Sequence, residues 1–407
     1  MEDIKFAVEK IRKKEGPSGV LRFCKETLSH LPKEPSYTSV WLKLYRLGAL
    51  ITLKRFKIPD SEFEDLEKEI DLLDPEPKER ASWKGLLFNS WGISLGSRGF
   101  FAQAAEKYQL GLEETVAFSP NDIGALNNIG LNIMYLGKWE AARQIFLDGL
   151  QNVLPDDVDG RAYLLVNYGE LLRRWGKGEA QCILEEALAC FKKMEDQEGI
   201  AEAAHNLVRL LLDNEQLEKA EKLVKVVRKL RPGPYEQYCQ LFQLRTEALW
   251  ALAHQETEQG IDLYTSALDL VLEIHAHEHV MAVQYDIALI YLRTAMAGDL
   301  SAIDQIQLLL AKIVEFADTN DLQFILVETL LVQAKFSLWM QDYMKTYELL
   351  AKINRLLVQF PYDHLKIRFS NMEHELEAWN PRLSVEHLIQ LDLSEFMEYL
   401  RDCSKLA

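Results

Sequence analysis

An internal repeat of about 39 residues is the feature that most constrains how this chain can fold. Four segments share an apolar pattern of helical spacing around one small or medium-sized residue, which we call the anchor. The anchors follow one another at spacings of 38, 39 and 39 residues: Gly92, Gly130, Gly169 and Val208. One such unit cannot bury its own apolar face, so the repeat predicts stacked copies of a single supersecondary unit.

Each anchor is followed by a second helical pattern that begins about twelve residues later. Its residues are small, then large, then small or apolar: Ala104/Tyr108/Gly111, Ala142/Phe146/Gly149, Ala180/Leu184/Ala187 and Ala220/Val224/Val227. A small anchor lets two helices approach closely, and the large residue of the second helix fills the groove between them. Weaker copies are anchored at Ala248, Ala288 and Ala334.

The rest of the chain is also helical in pattern, and alternation typical of β-strands is rare. Most of the 12 prolines lie between the periodic stretches, where they end helices. The sequence therefore predicts an all-α fold, an α-solenoid of stacked antiparallel helix pairs.

The repeat resembles the tetratricopeptide repeat over about residues 82–361. The segment 187–204 is similar to the variant of about 40 residues found in MalT-like regulators, kinesin light chains and Rap-type bacterial peptide receptors. The resemblance implies a right-handed superhelix whose concave face binds other proteins. The unit is longer than the typical unit of about 34 residues, which indicates longer helices or turns.

The pattern divides the chain into three predicted parts. Residues 1–80 form a divergent N-terminal helical cap or bundle, with helices expected at Ile4–Lys14, Gly19–Leu31, Ser39–Lys54 and Ser61–Leu73. Residues 81–361 hold the repeat array of about seven helix pairs, and residues 362–407 form C-terminal capping helices, the last at Ser384–Leu406. A poorly capped solenoid end favours self-association, so a homodimer through Leu388–Leu406 is left open.

Composition excludes several classes of function. The net charge of −17 disfavours a general attraction to nucleic acid or anionic lipid, so we expect no nucleic-acid partner. The longest apolar runs fall short of the ~18 residues of a membrane helix, so we expect no membrane insertion. The 5 scattered cysteines contain no Cys-x-x-Cys pair, which favours a reducing, cytoplasmic location.

No catalytic, cofactor or metal signature is found in the sequence. His275 and His279 are spaced to share one face of a helix, but no third ligand is fixed by spacing. We interpret the segment His275–His279 as a helix end, where histidine suits the negative end of the dipole. The sequence predicts a protein that is not an enzyme and that needs no cofactor.

Polar residues recur two positions before the anchors, on the side of the helix opposite to them. They are Ser90, Asn128, Asn167, Asn206, Thr246 and Asp286, and we call the three asparagines the asparagine ladder. An amide both donates and accepts, so such a row can pair with the backbone of an extended peptide. Kinesin light chains have a similar ladder, and the resemblance implies peptide binding. In the alternative interpretation, the asparagines bond the neighbouring helix and only set the repeat spacing.

Neighbouring positions extend the candidate site. Three positions before the anchors lie Asn89, Asn127, His205 and Arg245, and Arg174 and Arg209 follow just beyond two anchors. In a chain of negative net charge, this local group of arginines favours an acidic segment or a C-terminal carboxylate, which guanidinium holds with two hydrogen bonds. The opposing interpretation is that these arginines are solvated or paired with nearby glutamates.

Three functions are compatible with the sequence. The leading hypothesis is a non-enzymatic adaptor or scaffold that binds an extended, acidic peptide segment of a partner in its concave groove. The first alternative is a peptide-gated regulator of the Rap type, with residues 1–78 as the effector part. The second is an assembly factor that holds a catalytic partner on its convex face.

Overall fold

In a computed structural model the chain folds into helices, and the structure describes residues 2–115, 123–233, 236–359 and 362–379. These residues contain eighteen α-helices and no β-strand, which confirms the predicted all-α class. The first nine helices are α1 (Glu2–Ser29), α2 (Tyr37–Thr52), α3 (Asp60–Leu73), α4 (Pro77–Ser97), α5 (Phe101–Thr115), α6 (Ile123–Tyr135), α7 (Trp139–Asn152), α8 (Val158–Arg174) and α9 (Ala180–Met194). The others are α10 (Gln197–Asp213), α11 (Leu217–Val227), α12 (Gln237–Ala253), α13 (Thr257–Glu273), α14 (His277–Met296), α15 (Ile303–Thr319), α16 (Gln323–Trp339), α17 (Tyr343–Gln359) and α18 (Asp363–Trp379).

The helices belong to two compact units, Met1–Val283 and Gln284–Ala407, and the division falls within α14. In the first unit, neighbouring helices pack as pairs, such as α4 with α5 and α8 with α9. In the second unit, α16 pairs with α17, and α14, α15 and α16 share an apolar core. The domain boundaries expected near residues 80 and 361 stay predictions.

Close approach at the anchors holds the pairs together, as the repeat predicted. A β-carbon added to Gly130 would lie 2.6 Å from the Phe146 ring. A β-carbon on Gly92 would lie 2.6 Å from the ring of Tyr108. Real side-chain atoms do not approach so closely, so the two aromatic rings occupy the space that the glycines leave. The predicted partner of the third anchor, Leu184, meets Gly169 in the same way.

The first helix of most pairs ends in a left-handed residue seven positions after the anchor. Glycine takes this position at Gly99, Gly137 and Gly176, and other residues take it at Glu215, Gln255 and Gln341. The turn closes with a bond from the next backbone N–H to a carbonyl of the last helical turn, for example Phe100 to Leu95 at 2.9 Å. These pairs therefore share one type of connection between the first and the second helix.

The N-terminal helices follow the sequence prediction with one refinement. The helix α1 combines the two helices expected on either side of Gly16, whose non-helical backbone (φ 64°, ψ −164°) precedes Pro17. Ser36 caps α2 in a reciprocal capping box with Ser39. The C-terminal helix and the dimerisation segment expected at Ser384–Leu406 lie outside the described residues.

Two further observations bear on the excluded classes. Throughout the described ranges, no helix is both long and apolar enough to cross a bilayer. Burial raises the pKa of Cys24 to about 11 and that of Cys239 to about 12, which fits their use as apolar residues. By contrast, Cys182 is exposed.

Candidate ligand-binding cavity

A cavity of about 420 Å³ lies in the first unit, along the first helices of successive pairs. Its wall comes from α4, α5, α6, α8, α10, α12 and the start of α14, together with the end of α2 and the residues that follow it. Eight of the nine site residues predicted from the sequence line it: Asn127, Asn128, Asn167, Arg174, His205, Asn206, Arg209 and Arg245. The ninth, Asn89, lies behind them and accepts a hydrogen bond from the Asn128 amide at 3.0 Å.

One face of α10 lines the cavity and changes charge from one end of the helix to the other. Glu198, Glu202, Asn206 and Arg209 follow one another at intervals of three or four residues, so they form one stripe on the helix. With a rise of 1.5 Å per residue, Glu198 and Arg209 are about 16 Å apart along the helix axis. The stripe is therefore acidic at one end and basic at the other, with an amide between them.

The basic end of the cavity is formed by Arg174, Arg209 and Arg245, which come from three successive first helices. Glu170 accepts a hydrogen bond from Arg174 at 2.7 Å and another from Arg173 at 2.8 Å. Burial acts to raise the pKa of Glu170, but these two guanidinium groups hold it well below its usual value. The pairing with a nearby glutamate that we had considered for such arginines is thus present for Arg174.

The acidic end consists of Glu198, Glu202, Glu278 and the phenol of Tyr238. The Tyr238 hydroxyl donates to Glu278 Oε1 at 2.8 Å. Burial raises the pKa of Glu278 to about 8, and burial followed by neighbouring carboxylates raises that of Glu202 to about 7. Both carboxyls are thus costly to ionise here, and a cation beside them would stabilise their charged form.

Polar residues of successive units are bonded to each other across the cavity wall. The Asn167 amide donates to Asn127 Oδ1 at 2.9 Å, in the same way that Asn128 donates to Asn89. In a later pair of units, His205 Nδ1 lies 3.2 Å from Thr246 Oγ1. Each bond joins the residue three positions before one anchor to the residue two positions before the next. Asn128 and Asn167 therefore make the contacts that the alternative interpretation of the ladder expects.

The side-chain hydrogen bonds between successive units do not include Asn206. Its partner position in the preceding unit holds Val166, which has no polar atom in its side chain. Within the described chain, no protein hydrogen bond reaches the Asn206 side chain, although it is only 6% exposed and lines the cavity. A buried amide normally has a partner. Asn206 is therefore the member of the ladder that is most available to a ligand.

The two histidines of the cavity are held neutral. Since the Thr246 hydroxyl donates to the Phe242 carbonyl at 2.6 Å, His205 Nδ1 must be the donor to Thr246. Burial lowers the pKa of His279 to about 3, and its ring contacts those of Tyr238 and Phe242 edge-on. Among the described residues, no group of three or more His, Cys, Asp or Glu side chains is arranged to hold a metal ion.

The acidic end is not predicted by the repeat pattern. Glu198, Glu202, Tyr238 and Glu278 were not among the predicted site residues, and neither was Lys54, which follows α2. One signal was present, because Glu198 and Glu202 precede Asn206 by eight and four residues and so share its helix face. Nothing in the repeat indicates that residues 51–56 reach this cavity.

Comparisons with known proteins bear on the fold. No family model and no curated protein matches the sequence. The structure of a Rap protein complexed with competence and sporulation factor matches over 91% of this chain and 99% of that chain, with a TM-score of 0.56 and 12% identity. The chain has a tetratricopeptide-like α-solenoid fold. This is the fold that the repeat predicted, and at such identity the likeness shows the fold alone.

Two further solved structures have lower scores. NprR in complex with its cognate peptide NprX matches over 100% of this chain and 97% of that chain, with a TM-score of 0.49 and 13% identity. A human IFIT1 dimer with m7Gppp-AAAA matches over 86% of this chain and 77% of that chain, with a TM-score of 0.46 and 13% identity.

Proposed function

We propose that this protein is a non-enzymatic, cytoplasmic adaptor that binds a short peptide segment of a partner in the cavity along α10. The observation that carries the proposal is the continuous stripe Glu198–Glu202–Asn206–Arg209 on the cavity wall. It offers a peptide an amide for its backbone and a guanidinium for an acidic side chain or a C-terminal carboxylate. The Rap structure that shares this fold is itself a complex with a bound factor, which supports the choice of a binding protein.

The size of the cavity sets the length of the segment. An extended chain advances about 3.3 Å per residue, so the ~16 Å between Glu198 and Arg209 accommodates about five residues. The cavity volume of about 420 Å³ is in the range of small-ligand sites, so the cavity encloses part of such a segment. We expect the acidic group of the ligand to bind at the basic end, near Arg174, Arg209 and Arg245.

Pools of pentapeptides with free termini test the proposal. In each pool one position is fixed as Asp, Glu, Lys, Arg or Ala, and binding to the protein is measured by native mass spectrometry. We expect at least one pool with an acidic residue to bind better than its alanine counterpart. Asn206→Ala removes one buried hydrogen bond and should weaken that pool about 5- to 10-fold. Arg209→Gln, which removes a charged partner, should weaken it by at least as much.

Asn152→Ala is the matched control, because Asn152 lies exposed on a second helix and does not line the cavity. It should bind every pool as the wild type does. The proposal is wrong if no pool binds, or if Asn206→Ala and Asn152→Ala behave alike. Small-angle scattering with and without the best pool then separates a passive adaptor, whose dimensions stay constant, from a peptide-gated regulator, which compacts.

A further inference from the structure

Lys54 extends into the acidic end of the cavity from the turn that follows α2. Its backbone is left-handed, with φ 53°, and its side chain is only 18% exposed. The ammonium lies 3.5 Å from Glu198 Oε1 and 4.0 Å above the ring centroid of Tyr238. Such a cation between a carboxylate and an aromatic face is the arrangement by which proteins bind ammonium groups of ligands.

Among the described residues, the three carboxyl groups of the acidic end have one ammonium beside them, that of Lys54, which contacts Glu198. Within the described chain, Glu202 has no hydrogen bond or ion pair with any other side chain, and Glu278 Oε2 has no hydrogen-bond partner. Three carboxyl groups thus share the single ammonium that the structure places against them. Burial disfavours the ionised forms of Glu202 and Glu278, so a cation that enters beside them would stabilise those charged forms and bind well.

A second observation, independent of the carboxyl groups, indicates that a ligand reaches this place. Asn206 lies one helical turn beyond Glu202, is 6% exposed and lines the cavity, and its side chain has no hydrogen-bond partner within the described part of the chain. A segment that bonds the Asn206 amide passes Glu202 within one or two residues, since adjacent residues of an extended chain are about 3.3 Å apart.

We propose that Glu198, Glu202, Glu278 and Tyr238 form a cation subsite for a lysine, arginine or N-terminal ammonium of the bound segment, and that Lys54 is an internal occupant which that group displaces. This inference rests on the proposed function and adds a basic group to the ligand, about five residues from its acidic group. The protein holds its own cation in the subsite when no ligand is bound.

Displacement is physically reasonable because the contact of Lys54 is weak. One ammonium at 3.5 Å from one carboxylate oxygen is a long ion pair, and lysine loses much side-chain entropy when it is held in place. A guanidinium can bond two oxygens at once, and a ligand anchored at Asn206 and Arg209 brings its cation to the subsite at high effective concentration. The ligand affinity is then reduced only by the fraction of time that Lys54 occupies the subsite.

Lys54→Met tests the inference because methionine keeps an unbranched side chain and removes the charge. The probes are pentapeptide pools with Lys or Arg fixed at one position and matched pools with norleucine there. We expect Lys54→Met to bind the basic pools up to about 10-fold more tightly than the wild type, with little change for norleucine pools. Glu202→Gln should weaken the basic pools alone. Lys57→Met is the control, since Lys57 is exposed in the same turn and does not line the cavity.

Chemical labelling of lysines provides the second measurement. Acetylation of Lys54, followed by mass spectrometry, should be slow in the free protein and become faster when a basic pool is added, with Lys57 as the internal reference. If pools bind but Lys54→Met gains nothing for basic pools and Lys54 stays protected, the inference is wrong and the proposed function stands. If no pool binds at all, both fail together.

Discussion

Gly130→Ala tests the packing argument on which the fold rests. The added methyl group would lie 2.6, 2.9 and 3.0 Å from three ring carbons of Phe146, whereas carbon atoms pack at about 3.5–4.0 Å. The ring is fully buried, so it has no free space to move into. Overpacking of this kind costs about 3 kcal/mol, and the better helix propensity of alanine returns about 1 kcal/mol. We expect a net loss of about 2 kcal/mol.

Hydrogen exchange followed by mass spectrometry is the suitable assay, because a repeat array opens locally and has no single unfolding free energy. A loss of 2 kcal/mol corresponds to about 30-fold faster exchange of the protected amides of α6 and α7. Amides of α12 and α13, which are several units away, should change much less, since stability is shared mainly between neighbours.

Two further variants make the result decisive. Gly48→Ala lies in the middle of α2 with nothing within 4 Å of the new methyl group, so it should slow exchange there slightly. In Gly130→Ala/Phe146→Leu the smaller side chain makes room, so the double variant should exchange little faster than Phe146→Leu alone. Exchange in Gly130→Ala as slow as in the wild type would refute the packing argument.

Three more outcomes follow from the structure. Burial raises the pKa of Glu202 from its ordinary value of 4.5 to about 7, so between these pH values the folded protein holds a proton that the unfolded chain releases. The free energy of unfolding therefore falls as pH rises towards about 7. Between about pH 5 and about pH 8, the melting temperature should fall less in Glu202→Gln than in the wild type. Lys84→Met removes the buried cation that Glu67, Asp71 and Glu114 share, while Arg80 remains beside Asp71 alone, so we expect a local loss of about 2 kcal/mol, measured as about 30-fold faster hydrogen exchange of the protected amides of α3 and α4. Gln255 has a left-handed backbone (φ 65°), which glycine adopts more readily than glutamine, so Gln255→Gly should stabilise the turn by about 1 kcal/mol. Hydrogen exchange of the amides at the end of α12 should then be about 5-fold slower than in the wild type. Faster exchange would contradict the role of the turn.

The fold could be predicted because its determinants repeat. Gly92, Gly130 and Gly169 each need a large partner 15 or 16 positions further along the chain, and the sequence shows both members of each pair. Because the same small–large pairing recurs in several units, helices could also be predicted in the units where the pattern is weaker. The left-handed turn was the exception, because Glu215 and Gln255 fill it with residues that do not identify a turn.

Only the basic end and the asparagines of the candidate site could be predicted from the sequence. The basic end and the asparagines belong to the repeat and could be read from its spacing. The acidic end depends on which residues meet in space: Lys54 and Glu198 are 144 positions apart, and no period relates them. A glutamate on a helix usually faces solvent, so the position of Glu202 on the helix face of Asn206 is the one sign in the sequence that it lines the cavity. The bonding of Asn167 to Asn127 likewise depends on how successive helices are staggered.

The opposite charges at the two ends of the α10 stripe give the cavity a polarity. A row of amides alone would accept a peptide in either direction, since backbone donors and acceptors alternate both ways. With carboxylates at one end and guanidinium groups at the other, a segment and its reversed sequence have the same composition but opposite fits. A peptide bound as we propose would therefore be accepted in one direction and its reversed sequence would be rejected, and the placement of charge along one helix is sufficient for that selectivity.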